Sequence, residues 1–129
     1  MSTKWILVDA AVTISAAELT AQTVKTIVPA VPGYAIIPVT HAEAYKHGSV
    51  NFNTTSTLTF KIGSTSAQVS SALPLNGAAD AVAYGPFAAL EGLASALVNA
   101  PLTVNSTTGV TTGNGSVEVS VKYFLYKID

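Results

Sequence analysis

The twelve residues Val117-Glu118-Val119-Ser120-Val121-Lys122-Tyr123-Phe124-Leu125-Tyr126-Lys127-Ile128 decide the fold. They contain no glycine or proline and alternate with period two, the repeat at which the side chains of an extended strand return to the same face. Val117, Val119, Val121, Tyr123 and Leu125 make one apolar face. The opposite face opens polar with Glu118, Ser120 and Lys122, then turns apolar at Phe124, Tyr126 and Ile128. A strand with one apolar face belongs to an antiparallel sheet wetted on its other side, and one with two apolar faces is covered twice. At the end of this strand the first cover is the domain's own core. The second is a packed loop or helix, or a neighbouring subunit.

Working outward from it, the strand is preceded by a loop rich in threonine, glycine and asparagine that leads from Leu102-Thr103-Val104 to Gly115. At the other end of the chain, residues 5–14 (Trp-Ile-Leu-Val-Asp-Ala-Ala-Val-Thr-Ile) are rich in branched apolar side chains and read as an N-terminal strand. Ser15 and Glu18 then have capping-box spacing, with the hydroxyl taking an orphan amide and the carboxylate reaching back, which predicts a short helix over 16–22. Val24 to Val28 alternates and is stopped by Pro29-Ala30-Val31-Pro32-Gly33, and Tyr34 to Thr40 is the next strand. Pro38 cannot donate to a ladder, so it marks an edge or a bulge. Residues 41–49 read as a polar connection.

Across 50–62, Val50, Phe52, Leu58, Phe60 and Ile62 share one parity, which predicts a pair of strands or one long bent strand with one buried face. Residues 63–86 read as a long loop with one short strand near 66–70. Phe87, Leu90, Leu93, Ala94, Leu97 and Val98 recur at helical spacing and predict a short helix near 86–98. Short strands divided by Gly/Pro turns, with one or two short helical segments, give one mainly β domain over 1–129. The expected fold is an antiparallel β-sandwich or jelly roll.

Charge is the unusual property of the chain. Only 10% of its 129 residues are charged and none is arginine, against about 25% in a soluble domain. The hydrophobic fraction is 49%, the formal net charge is -1 and the mean hydropathy is +0.45. A small domain has much surface to cover, so either serine and threonine coat it or other subunits hide it. Near-zero charge on a free monomer invites uncontrolled association, which favours the second reading. Six scattered lysines do not make a phosphate-binding patch, so nucleic acid is not an expected partner. No apolar run approaches the roughly 20 residues of a membrane span. Trp5-Ile6-Leu7-Val8 is too short and too soon followed by Asp9 to read as a signal peptide. The chain is expected to stay in the cytoplasm or in a particle assembled there.

Chemistry has little to work with. There is no cysteine, hence no disulfide or zinc-thiolate site. His41, Glu43 and His47 gather both histidines beside a carboxylate, but a zinc site needs three or four convergent ligands, so a solvated loop is the reading here. No serine-hydrolase elbow, phosphate loop or dinucleotide fingerprint occurs. The seven carboxylates are widely spaced, and a glycosidase would require a pair such as Glu43 and Glu118 to meet in space. No catalytic, cofactor-binding or metal-ligating set is therefore expected. The tyrosines and Trp5 would suit a sugar-stacking platform, but aromatic residues more often anchor cores and interfaces. Trp5, Phe124, Tyr126 and Ile128 are the expected subunit-contact residues.

The order of segments also carries a resemblance. After the N-terminal strand and capped turn come Val28 to Gly33, then Ala96-Leu97-Val98-Asn99-Ala100-Pro101-Leu102. Thr112-Gly113-Asn114-Gly115-Ser116 then feeds Val117-Glu118-Val119-Ser120-Val121-Lys122-Tyr123. In this the chain resembles small phage virion structural proteins of the jelly-roll capsid decoration (cement) or head-fibre type. The resemblance implies a jelly-roll protomer that forms a homotrimer, needs no cofactor, and sits on the capsid exterior of a virion assembled in the host cytoplasm. Its partners would be copies of itself and the major capsid protein, whose neighbouring subunits it would bridge. The alternative is a receptor- or carbohydrate-binding β module of a phage tail or head fibre, and a small glycan-active enzyme is a third class.

Overall fold

The computed structural model describes residues 5–63, 65–69, 73–87, 99–107 and 109–128, with backbone alone for 65–69. Its elements are β1 (Trp5–Ile14), α1 (Ala16–Ala21), β2 (Lys25–Val28), β3 (Tyr34–Lys46), β4 (Leu58–Ile62), β5 (Thr65–Val69), β6 (Ala81–Pro86), β7 (Leu102–Ser106) and β8 (Ser116–Lys127). The pairings β1 with β8, β2 with β7, β3 with β6 and β4 with β5 are all antiparallel and nest inside one another. They describe a single long hairpin. Rolling it up lays β3 against β8 and β4 against β7, giving two four-stranded sheets of order β1-β8-β3-β6 and β2-β7-β4-β5. That arrangement is a jelly roll, a β-sandwich wound from one antiparallel ribbon.

The decisive strand behaves as its pattern dictates. In β8, Val117, Val119, Val121 and Tyr123 are buried between the sheets, while Glu118, Ser120 and Lys122 face out. Ile36 and Tyr45 of β3 meet Leu58, Phe60 and Ile62 of β4 in the same core, which Leu102 and Val104 of β7 complete. The capping box at the head of α1 is present in full: Glu18 N–H donates to Ser15 Oγ at 3.2 Å, and Ser15 N–H donates to Glu18 Oε1 at 2.9 Å. It turns the chain so that Leu19 plugs one end of the sandwich, fully buried.

Pro38 marks a bulge, and it lies just before the stretch Thr40 to Tyr45 over which β3 also pairs with β6. The register slips between Pro38 and Thr40, leaving Val39 as the extra residue. This slip exchanges the two faces of the strand. Ile36 and Pro38 are buried before it, and His41, Glu43 and Tyr45 after it. The expected polar connection over 41–49 is thereby corrected: β3 continues to Lys46, and only the residues beyond it form a loop.

Two other expectations are also corrected. Within 50–62 only Leu58–Ile62 is a strand, and Val50 is exposed. Phe52 is buried because the 48–54 loop is docked on the loop before β8. Asn114 Oδ1 accepts from both Ser49 and Val50 N–H at 2.9 Å, and Asn53 Oδ1 accepts from Thr111 N–H at 2.7 Å. Gly113 makes this docking possible, since a Cβ there would overlap the Phe52 ring. The segment read as a long loop contains β5, close to the expected short strand, and also β6, which that reading lacks. The helix expected near 86–98 lies, beyond Phe87, outside the described residues, and Pro86 closes β6. The accessible surface of 6546 Å² is close to the roughly 6,400 Å² that scaling predicts for a compact chain of this mass, so the sandwich closes on itself.

Candidate interaction surface

The outer face of the β1-β8-β3-β6 sheet concentrates the exposed apolar side chains. Pairing of Trp5 with Tyr126 and of Leu7 with Phe124 fixes one corner. The Trp5 ring stands edge-on to Phe124, with centroids 5.5 Å apart, and tilted on Tyr126 at 4.4 Å. Trp5 and Leu7 remain 51% and 56% exposed, and Ile6 on the other face of β1 is 43% exposed, so both faces of this strand end meet solvent. β1 is also an edge strand, paired among the described residues with β8 alone. An apolar edge of this kind presents unpaired backbone groups to any incoming chain. Three of the four expected contact residues thus meet in one cluster. Ile128 does not join them: it packs against the core and its N–H donates to Gly33 O at 2.9 Å.

Beyond that corner the outer face changes character. Register places Asp9, Lys122, Thr40 and Pro86 in one row across the four strands. The next row is Ala11, Ser120, Ala42 and Tyr84. Asp9 Oδ1 and Lys122 Nζ form an ion pair at 3.0 Å. The alanines and serine leave the sheet low here, and the two rows line a depression of about 930 Å³. At its β6 side Tyr84 stands 80% exposed. The Thr40, Ser120 and Tyr84 hydroxyls have no hydrogen-bond partner among the described residues.

The histidine–carboxylate group resolves into two separate environments. His41 and Glu43, both on the inner face of β3, are hydrogen-bonded through Nδ1 and Oε2 at 2.7 Å. His41 lies between the Phe60 and Phe87 rings, at 5.3 and 5.1 Å. Glu43 is fully buried, and its Oε1 has no partner among the described residues. The pair sits in the core and not in a solvated loop. His47 lies apart from it, hydrogen-bonded through Nε2 to Asn51 Oδ1 at 2.6 Å. Its N–H donates to Asp80 Oδ1 at 2.8 Å; that bond, with Lys46 beside it, holds the Asp80 carboxyl below its ordinary range. Among the described residues no three His, Asp or Glu side chains converge on a common metal position.

The two carboxylates that a glycosidase reading would bring together are separated by the sheet. Glu118 pairs with Ala44 and faces out, whereas Glu43 pairs with Val119 and faces in. Burial also pushes up the phenols of Tyr45 and Tyr123, with Asp80 adding to the effect at Tyr45. Both belong to the core. Among the described residues no helix is long and apolar enough to cross a membrane. No protein-family description, curated protein or solved structure matches the chain.

Proposed function

We propose that the protein is a structural subunit of a phage particle, a homotrimeric capsid decoration protein that stabilises the head by bridging neighbouring capsid subunits. The observation that carries the reading is the corner built by Trp5, Leu7, Phe124 and Tyr126, open to solvent on an edge strand and free of charge. Six of the ten charged side chains among the described residues cancel in local pairs, Lys25 with Glu18, Lys46 with Asp80 and Lys122 with Asp9. Neutral surface around an apolar centre is the composition of a contact between subunits, where charged side chains are depleted.

The mechanism is burial combined with multivalency. Each subunit folds as a closed sandwich, so association adds contacts to a finished body. Three linked subunits then offer three copies of each contact patch, and engaging one raises the effective concentration of the others. Weak single contacts become firm attachment without covalent bonds or a cofactor.

Sedimentation of the purified protein tests the reading. A trimer is expected, and Tyr126→Asp, which places a charge beside Trp5, is expected to shift it to monomer with the far-ultraviolet spectrum unchanged. A wild-type monomer at high concentration that fails to associate with any capsid would overturn the proposal.

A further inference from the structure

The geometry points to a neutral saccharide site in the depression on the outer face of the β1-β8-β3-β6 sheet, with Tyr84 as its stacking platform. The site begins one row beyond the Leu7–Phe124 pair of the Trp5 corner and is lined by a single subunit. Its volume of about 930 Å³ lies within the roughly 300–1,000 Å³ of small-molecule sites. Four strands at about 4.8 Å spacing make each row about 14 Å long, enough for a short oligosaccharide lying across the strands.

The lining selects among ligand classes. A peptide adding to a sheet bonds to free backbone at an edge. Beneath the middle of the depression β8 and β3 are each already paired on both sides, so a peptide backbone lying on it finds nothing there to bond. An anion or a cation gains little, because Asp9 and Lys122 cancel each other. A wholly apolar ligand would strip water from that ion pair without replacing its bonds.

A neutral polyol meets none of these objections. The Asp9 carboxylate accepts from a hydroxyl and the Lys122 ammonium donates to one, so the pair together serves adjacent hydroxyls. The Thr40 and Ser120 hydroxyls have no partner among the described residues and are free to do either. Ala11 and Ala42 keep the floor flat enough for a ring to lie on it. Tyr84 is 80% exposed at the β6 side, and an aromatic ring so exposed supplies the kind of surface on which the C–H side of a sugar stacks.

The test is titration of the 129-residue chain with maltotriose, cellotriose and chitotriose, followed by amide chemical shifts, with a sulfated oligosaccharide as control. At least one neutral trisaccharide is expected to shift residues of Ala11, Ala42, Ser120 and Tyr84. Tyr84→Ala and Ala42→Leu, both on the solvent face, are each expected to weaken binding by about tenfold or more with the thermal midpoint and sedimentation unchanged. Absence of binding by every neutral trisaccharide, binding of the sulfated control alone, or binding that survives both substitutions would overturn the proposal. Because sedimentation reads assembly separately, a failure here is distinguishable from a failure of the capsid reading.

Discussion

The residue with the most exacting surroundings is Glu43, a carboxylate with no exposure inside a β-sandwich, held by His41 and left with one oxygen unpartnered among the described residues. Such a pair adds little net stability, because desolvation offsets the attraction, but removing one member strands the other. Glu43→Ala is expected to cost about 3–5 kcal/mol in urea unfolding, and replacing both residues with leucine to cost less than that single change. Additive single and double effects would show that the two side chains do not act as a unit. The burial of this pair was not legible in the sequence, where His41-Ala42-Glu43-Ala44 carries no large apolar residue to suggest a buried strand. Because Val39 is extruded at the bulge, the polar parity turns inward and the alanine parity outward. A one-residue slip of this kind leaves no mark beyond Pro38 itself.

At the scale of the element, local signals were the readable ones. Capping depends on four consecutive residues, so Ser15 and Glu18 announced α1 without reference to the rest of the chain. Glu18 is held down to about 2, first by its hydrogen bond with Lys25 and then by the Ser15 N–H. A carboxyl depressed in the folded state contributes stability that is whole above its unfolded value near 4.5 and drains away as pH falls toward 2. The stability difference between wild type and Glu18→Gln is therefore expected to be constant near neutrality and to vanish across that window, as read from urea midpoints. Ser15→Ala should cost about 1 kcal/mol. β6 was illegible for the opposite reason: its bulky Val82 and Tyr84 face solvent, and its small Ala81, Ala83 and Gly85 face in. An inverted strand does not look like a strand. It also puts the proposed platform, Tyr84, where sequence reasoning expected only loop, although an aromatic standing among alanines was the available signal.

For the whole molecule, the alternation in β8 and the spacing of turns were enough to give a mainly β sandwich, but the order of strands comes from pairings that alternation does not encode. Trp5 lies opposite Tyr126 and Lys25 opposite Val104, so little of either sheet forms until distant parts of the chain have met. Folding is expected to be one cooperative transition with a millisecond-to-second refolding phase, checked by stopped-flow fluorescence of Trp5. Microsecond refolding would mean that local structure dominates. Low charge, the other global property visible at the outset, sorted the possible partners without locating any surface; the corner and the depression emerged only once register had set the rows.

The rolled ribbon also sets its two outermost strands side by side, with Trp5 at the head of β1 opposite Tyr126 near the foot of β8. Labels carried at these two positions report on one patch, so a fluorophore at one and a quencher at the other would register the parting of β1 from β8 as a rise in emission.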